Sequence, residues 1–284
     1  MRFQKVGVVG AGNIGSGVIQ DLAQTGHHVI AVDLSQEALE RSEKSIQQNV
    51  LLYRLYGTGK KAIQDPGKVI KNIEFTDDYS KLENASFIIE NVTENQEVKN
   101  KVHKRINEIV KEDAIVAVNS SCILITSLAS NSKNPEKYIG MHFMNPVPVM
   151  PVVEVIKGFH TSEETIEDAK TLLRQMDKDA VLIEDMPGFV SNRVMTFMMN
   201  EAAFLVQEKV APVEEIDRLF KTCYGHKMGP LETIDLIGVD TILYSMEVLY
   251  ESFNDSKYRP CPLLRKMANA GLKGRKSGQG FYKY

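Results

Sequence analysis

The chain has 284 residues, which is more than one ordinary domain of roughly 100–200 residues, so two domains are expected. Hydrophobic residues make up 43% and charged residues 25%, as in globular proteins, and the net charge of −3 gives no whole-chain signature of nucleic-acid binding. No apolar run approaches the roughly 18 residues of a membrane span. The three cysteines are too widely spaced for a disulfide framework or a CxxC metal pair, and the chain enters an apolar run without room for a signal peptide. We therefore expect a cytoplasmic protein with no membrane segment, no metal site and no nucleic-acid partner.

Short apolar runs alternate with longer amphipathic stretches from residue 1 to about residue 185. The runs predict strands at Lys5–Val9, Val29–Val32, Phe87–Asn91, Ile115–Val118, Tyr138–His142, Val152–Ile156 and Ala180–Ile183. The stretches between them predict helices at Ile14–Gln24, Ser35–Tyr56, Glu97–Val110 and Glu163–Met176. The interval Gly57–Asp78 breaks the periodicity and predicts a loop with a short helix. Strands that alternate with helices indicate an α/β, Rossmann-type fold with a doubly wound, mostly parallel sheet.

The pattern changes at Met186-Pro187-Gly188, after which no alternating strand pattern follows. Three later segments have apolar residues at helical spacing: Phe189–Lys209, Val213–Tyr224 and Val239–Phe253. Proline and glycine mark the boundary. We therefore predict a first domain over residues 1–186 and an all-α C-terminal domain over residues 187–284.

A glycine-rich turn follows the first predicted strand. Gly10-Ala11-Gly12-Asn13-Ile14-Gly15 matches G-x-G-x-x-G, in which glycines permit a tight turn, close approach to a pyrophosphate and close packing of helix on strand. Asp33 ends the next strand, 23 positions after Gly10, where an acid accepts hydrogen bonds from a ribose 2′-hydroxyl and repels a 2′-phosphate. The pattern predicts NAD rather than NADP, bound by Gly10, Gly12, Asn13, Ile14, Gly15 and Asp33. The alternative is a structural turn with Asp33 as a surface cap.

Two further residues suggest acid–base chemistry. An NAD-dependent oxidation of an alcohol needs a group that accepts the hydroxyl proton, and imidazole suits that task near neutral pH. His142 ends a predicted strand, where ligands bind in open α/β sheets. Glu154 lies in an otherwise apolar strand, and a buried carboxylate needs a partner such as an imidazole. The residues alone leave two interpretations open: an acid–base pair, or a core histidine and an edge-strand glutamate.

Seven segments, in order along the chain, resemble the 3-hydroxyacyl-CoA dehydrogenase family and its short 3-hydroxybutyryl-CoA dehydrogenases. They are Gly10–Gly15, Glu90–Lys99, Asn119–Thr126, Gly140–Ile156, Pro187–Arg193, Met228–Thr241 and Gly274–Tyr284. The resemblance covers the whole chain. It implies a Rossmann-type NAD-binding domain, followed by a helical domain that contributes to the substrate cleft and forms a homodimer.

The resemblance also implies roles for individual residues. His142 is then the catalytic base, Glu154 its partner, and Ser121 and Asn192 hold the substrate oxygen. The residues implied to line the nicotinamide half of the NAD site are Glu94, Lys99, Ser121, Asn145 and Lys276. Without the resemblance, Glu94 and Lys99 fit a solvated helix face, Lys276 a surface tail and Ser121 a helix cap.

The chain departs from the family pattern at positions that bear on the acyl group of the substrate and on the CoA that carries it. An ungapped count from Asp33 gives Tyr56 where the family has a lysine that grips CoA. Basic residues near that position are Arg54, Lys60 and Lys61. The other departures are Asn49, Cys122 and Pro151. These changes bear on the acyl group or its carrier and leave the proposed acid–base residues in place.

These observations predict an NAD-dependent dehydrogenase that oxidises an L-3-hydroxyacyl thioester, such as 3-hydroxybutyryl-CoA, reversibly to the 3-oxoacyl thioester. One alternative is the same chemistry on a group tethered to an acyl carrier protein, for example a glyceryl unit for polyketide extender-unit synthesis. A second alternative, from a different class, is a non-catalytic NAD-binding protein.

Overall fold

The computed structural model describes residues 2–56 and 65–284 of the chain. The chain divides into two compact units, Met1–Asp185 and Met186–Tyr284. Each unit has its own cluster of buried apolar side chains. Lys60 and Lys61, noted above for CoA binding, lie outside the described residues, as do the side chains of Arg54 and Tyr56.

The first unit is built on one sheet of eight strands. They are β1 Lys5–Val9, β2 His28–Val32, β3 Ile73–Thr76, β4 Phe87–Glu90, β5 Ile115–Val118, β6 Tyr138–His142, β7 Val152–Lys157 and β8 Asp179–Glu184. Their order is β3-β2-β1-β4-β5-β6-β7-β8, and every neighbouring pair is parallel except β6 and β7. The first six strands therefore end at one edge of the sheet, which we call the carboxyl edge, and β7 begins there.

Helices cover this sheet. They are α1 Asn13–Gln24, α2 Gln36–Tyr56, α3 Pro66–Ile70, α4 Gln96–Ile109, α5 Ile125–Ala129 and α6 Glu163–Gln175. Val8 and Val9 point to opposite faces of the sheet, and both are fully buried, because a parallel sheet is covered on its two faces. Val8 packs in one core with Leu22 of α1 and Leu172 of α6, and each such side chain contributes about 1.5–3 kcal/mol by its burial. The predicted doubly wound, Rossmann-type sheet is confirmed.

The interval Gly57–Asp78 differs from the prediction of a loop with a short helix. Its described part contains helix α3, but it also contains strand β3, which pairs in parallel with β2. This strand has four residues, Glu74 is exposed, and Ile73 and Phe75 are only half-buried. The interpretation without a strand was wrong because so short a strand at the border of the sheet lacks a continuous apolar run.

The second unit is helical, as predicted. Its helices are α7 Ser191–Gln207, α8 Val213–Cys223, α9 Pro230–Ile237, α10 Val239–Phe253 and α11 Pro262–Asn269. The buried carboxylate of Asp235 accepts hydrogen bonds from the backbone N–H groups of Phe281 and Tyr282, at 2.9 and 2.8 Å, and so anchors the C-terminal tail on α9. Within residues 2–56 and 65–284, none of the helices has both the length and the apolar character needed to cross a membrane.

Candidate active site

The glycine-rich turn joins β1 to α1 at the carboxyl edge. Gly10 has a φ of +99°, and a Cβ there would lie 2.8 Å from the backbone of Asn91, so only glycine fits. A Cβ on Gly12, in contrast, would meet no described protein atom within 4 Å. Among the described residues no side chain caps the start of α1 at Gly12. No described side chain therefore occupies the start of α1, and a helix N-terminus without such a cap suits a phosphate anion.

Asp33 lies beside this turn, directly after β2. Its Oδ2 accepts a hydrogen bond from the Ala11 N–H at 2.8 Å, and its Oδ1 accepts one from the Ser35 N–H at 2.9 Å. The carboxylate is thereby held next to the glycine turn while remaining partly exposed. In dinucleotide-binding domains an acid at this position accepts a hydrogen bond from the ribose 2′-hydroxyl of NAD. The open space at Gly12 and the held carboxylate of Asp33 both fit NAD.

His142 and Glu154 are brought together by the pairing of two strands. They are opposite partners in the antiparallel ladder of β6 and β7. His142 Nδ1 lies 2.7 Å from Glu154 Oε2, and the two residues are only 6% and 7% exposed. Because a carboxylate only accepts hydrogen bonds, Nδ1 carries a proton and donates it. In the neutral ring Nε2 is then the basic nitrogen.

Ser121 faces that basic nitrogen. Its Oγ lies 3.3 Å from His142 Nε2. The loop that carries Ser121 is organised by one oxygen of Glu94: Oε1 accepts hydrogen bonds from the N–H groups of Ser121 and Cys122, at 2.9 and 2.8 Å, and from Ser120 Oγ at 2.7 Å. The structure thus brings Ser121, His142, Glu154 and Glu94 together at the carboxyl edge.

Lys99 occupies a buried ionic cluster at the same edge. Its Nζ lies 2.8 and 2.9 Å from the two carboxylate oxygens of Glu90, donates to the Asn119 carbonyl at 2.9 Å, and is 4.0 Å from Glu94 Oε2. His103 Nε2 lies 3.0 Å from the other side of Glu90, at Oε2. We call Glu90, Lys99 and His103 the Glu90 cluster. Lys99 has no exposed surface in this structure, so direct contact between its side chain and a cofactor stays a prediction.

A second buried lysine holds the segment that follows β6. Lys178 Nζ donates to the carbonyls of Val147 and Met150, each at 2.6 Å, and lies 3.0 Å from Asp21 Oδ2 on α1. The segment carries Asn145, which is exposed at the carboxyl edge. Lys178 therefore ties this segment to the helix that begins at the glycine turn.

The two remaining predicted site residues belong to the second unit. Asn192 lies in the first turn of α7 and is partly exposed. Lys276 lies in a short 3-10 turn, with its Nζ 2.5 Å from Asp240 Oδ1. Burial tends to raise the pKa of Asp240, but the hydrogen bond and the charge of Lys276 outweigh that effect. The pKa of Asp240 therefore lies below its ordinary value. The roles of Asn192 and Lys276 stay predictions.

Comparison with known proteins decides the family. Residues 5–186 match the NAD binding domain of 3-hydroxyacyl-CoA dehydrogenase, and residues 188–284 match the C-terminal domain of the same enzyme. The chain belongs to the 3-hydroxyacyl-CoA dehydrogenase family. It is therefore an NAD-dependent oxidoreductase that acts on a CH–OH group, and the predicted cofactor is confirmed.

Similar proteins match this dehydrogenase over nearly their full lengths. It is 46% identical over 280 residues to a probable 3-hydroxybutyryl-CoA dehydrogenase of Deinococcus radiodurans, a match that covers 99% of this chain and 100% of the relative. A probable 3-hydroxybutyryl-CoA dehydrogenase of Bacillus subtilis is 45% identical over 284 residues, with 100% and 98% covered. The crystal structure of an (S)-3-hydroxybutyryl-CoA dehydrogenase of Ralstonia eutropha, 40% identical, superposes with a TM-score of 0.93 and covers 99% of both chains.

The position of Asp33 gives a testable cofactor preference for this dehydrogenase. Replacing Asp33 by asparagine should lower the ratio of kcat/KM with NAD to kcat/KM with NADP by roughly tenfold or more, because a charged hydrogen bond to the ribose is lost and repulsion of a 2′-phosphate is relieved. The two values are measured with one thioester substrate. The exposed Asp113, replaced by asparagine, is the matched control. An unchanged ratio in the Asp33 variant would contradict the assignment.

Three residues of this site were not singled out from the sequence: Glu90, His103 and Lys178. A signal was present for Glu90, an acid at the end of the otherwise apolar strand β4. The same signal pointed to Glu154. Lys178 offered none, because it lies in a short polar stretch of sequence, and His103 offered only its place on the same helical face as Ile106.

Proposed function

We propose that this dehydrogenase oxidises an L-3-hydroxyacyl-CoA, of which 3-hydroxybutyryl-CoA is the model, reversibly to the 3-oxoacyl-CoA. The observation that carries the proposal is the hydrogen-bonded series Ser121–His142–Glu154, at the same edge of the sheet as the glycine-rich turn. The names of the relatives, which are 3-hydroxybutyryl-CoA dehydrogenases, support the substrate class.

In this proposal His142 moves the proton. Oxidation of the alcohol removes one proton and one hydride, and NAD, when bound, accepts the hydride. Nε2 of His142 takes the hydroxyl proton, since Nδ1 already donates to Glu154. The resulting imidazolium is stabilised by the carboxylate of Glu154 at 2.7 Å. In the reverse direction the same Nε2 returns the proton to the oxygen of the 3-oxo group.

Ser121 and Asn192 position the substrate oxygen in this proposal. A hydroxyl and a carboxamide both donate and accept hydrogen bonds, so they can hold the oxygen as alcohol and as carbonyl. Ser121 Oγ lies 3.3 Å from His142 Nε2, a separation at which one substrate oxygen can contact both groups. Glu94, Lys99, Asn145 and Lys276 are proposed to hold or organise the nicotinamide half of the cofactor site.

Two observations bear on the group that carries the acyl chain, CoA or a carrier protein. Tyr56, at the position of the family lysine that grips CoA, favours the carrier-protein alternative, whereas the relatives named for CoA substrates favour CoA. We expect NADH oxidation with acetoacetyl-CoA to have a higher kcat/KM than with acetoacetyl groups on a carrier protein or on a short pantetheine mimic. The reverse order would favour the carrier-protein function. NADH binding without turnover of any of the three would favour a non-catalytic protein.

The second unit is proposed to form a homodimer, as the family resemblance implies. Light scattering coupled to size-exclusion chromatography measures the mass, and we expect the mass of a dimer. A monomer mass at the concentrations used for activity would contradict this part of the proposal.

A further inference from the structure

The Glu90 cluster continues into a hydrogen-bonded chain that leads away from the carboxyl edge. His103 Nε2 lies 3.0 Å from Glu90 Oε2, and its Nδ1 lies 3.3 Å from the hydroxyl oxygen of Tyr138. The Tyr138 hydroxyl in turn contacts Asn107 Oδ1 at 2.8 Å. Glu90, His103 and Tyr138 are essentially fully buried. Tyr138 and Asn107 line a cavity of about 510 Å³ at the opposite edge of the sheet.

The donors and acceptors of this chain define one protonation state of His103. If Tyr138 donates to Asn107 Oδ1, then His103 Nδ1 must donate to the Tyr138 oxygen, and Nε2 must donate to the carboxylate of Glu90. Both ring nitrogens then carry protons, so His103 is an imidazolium. Burial raises the pKa of Tyr138 to about 12, so its hydroxyl remains available as a donor at every pH considered below.

Rotation of the Asn107 amide by half a turn lets the same chain accommodate a neutral His103. Among the described residues no partner lies within hydrogen-bond distance of Asn107 Nδ2. Exchanging Nδ2 and Oδ1 by rotation of the amide lets Asn107 donate to the Tyr138 oxygen and lets Tyr138 donate to His103 Nδ1. His103 is then neutral and still donates to Glu90. The chain therefore satisfies both nitrogens of His103 with or without the extra proton.

That extra proton changes the summed charge of the Glu90 cluster and Glu94. Burial opposes ionisation of Glu90, but the hydrogen bond from His103 and the charge of Lys99 outweigh it and hold the pKa of Glu90 below its ordinary value. The carboxylates of Glu90 and Glu94 and the ammonium of Lys99 together carry one negative charge, which a protonated His103 cancels. The nicotinamide ring is cationic in NAD⁺ and neutral in NADH, so only the oxidised cofactor gains from that negative charge.

We propose that His103 is a buried proton-binding residue that sets, through the Glu90 cluster, how strongly the enzyme prefers NAD⁺ over NADH at each pH. The inference rests on the proposed location of the nicotinamide near Glu94. Deprotonation of His103 as pH rises strengthens NAD⁺ binding relative to NADH binding. By linkage, NAD⁺ binding releases a proton from His103 and NADH binding does not.

Several other titratable groups face His103. Lys99 lies on the same helix, Glu90 on β4 and Tyr138 on β6. Tyr79, from the 3-10 turn packed against α4, is held neutral because burial raises its pKa, and the Arg105 guanidinium lies 3.9 Å from its ring centre. Helix α5, which also packs on α4, contains no titratable residue. Among the groups named here, His103 is the only imidazole, the side-chain type that serves as a proton switch near neutral pH.

The test is the ratio of the two cofactor affinities as a function of pH. Dissociation constants of NADH, by fluorescence, and of NAD⁺, by calorimetry, are measured between about pH 5 and 8 for the wild type and for His103→Gln. We expect the ratio of the NADH dissociation constant to the NAD⁺ dissociation constant to rise between these pH values in the wild type. The rise should be roughly 4- to 16-fold larger than in His103→Gln. This is the effect of one unit charge over about 10 Å at an effective dielectric constant of about 20 to 40.

Two further variants make the result decisive. His27 is also a buried, hydrogen-bonded histidine of the first unit, and His27→Gln should keep the wild-type pH dependence. In Tyr138→Phe, His103 remains but loses the acceptor of its Nδ1 proton. An unpaired donor on a buried cation costs more than an unpaired acceptor on a neutral ring, so the midpoint of the pH dependence should move to lower pH.

The outcomes separate this inference from the function on which it rests. Equal pH dependence in the wild type and His103→Gln would overturn the role of His103. If His103→Gln does not fold, an unmoved midpoint in Tyr138→Phe would overturn it instead. Absence of any NADH binding to the wild-type enzyme would contradict the proposed function rather than this inference.

Discussion

Replacing His142 by glutamine should lower kcat at least roughly 100-fold while NADH binding is retained. The loss of a positioned general base removes roughly 10²- to 10⁴-fold from a rate. Glutamine keeps the size and polarity of the side chain and has no nitrogen that accepts a proton near neutral pH. The rate is followed as NADH oxidation with acetoacetyl-CoA, and binding as the change in NADH fluorescence.

A second histidine provides the control for that experiment. His160 is exposed and belongs to the same unit, so His160→Gln should retain the wild-type rate. Glu154→Gln should lower kcat by less than His142→Gln, because the amide oxygen still accepts from Nδ1 but no longer offers a charge to the imidazolium. Near-wild-type turnover in His142→Gln would refute the assignment of His142 as the base.

Replacing Lys99 by methionine should lower the free energy of unfolding of the first unit by about 3–5 kcal/mol, because it leaves the carboxylate of Glu90 buried without its ammonium partner. Lys99 and Glu90 have no exposed surface, and their closest contact is 2.8 Å. Urea denaturation followed by far-ultraviolet circular dichroism measures the change. Activity should fall as well, since Lys99 also holds the Asn119 carbonyl near the start of the Ser121 loop.

The neighbouring Lys101 is the matched control for this variant. It lies on the same helix and is exposed, so Lys101→Met should change stability by less than about 0.5 kcal/mol. A double variant, Glu90→Leu with Lys99→Met, should recover part of the loss because neither charge is left buried alone. Equal stability of the Lys99 and Lys101 variants would show that the buried ion pair contributes little.

The fold could be predicted from sequence wherever burial leaves a continuous pattern. Strands such as β4 and β5 are buried on both faces, so their residues are apolar without interruption. Strand β3 and helices α5, α9 and α11 were not predicted. Helix α5, for example, has five residues, which is too few to display a helical period. Their structure depends on the elements against which they pack.

The candidate site was predictable where an ionisable residue interrupts an apolar strand. Glu154 interrupts β7, and its distance of 2.7 Å to His142 is the contact that this signal anticipates. Lys99 is different, because it is a charged residue of an amphipathic helix, and such residues usually face solvent; here the side chain is buried against Glu90. The helical period places Lys99 and His103 on the same face as the apolar Ile106, but it does not show that a carboxylate lies opposite that face.

The pairing of β6 with β7 has a consequence for insertions and deletions. His142 and Glu154 meet because they are opposite each other in the ladder, not because of the length of the segment between them. Residues added or removed within 143–151 would leave that alignment unchanged. One residue added between Glu154 and Ile156, with Ile156 kept opposite Gly140, would turn Glu154 to the other face of the sheet, since side chains alternate along a strand. Redesign of loop length near the substrate is therefore compatible with an intact acid–base pair only outside the two strands.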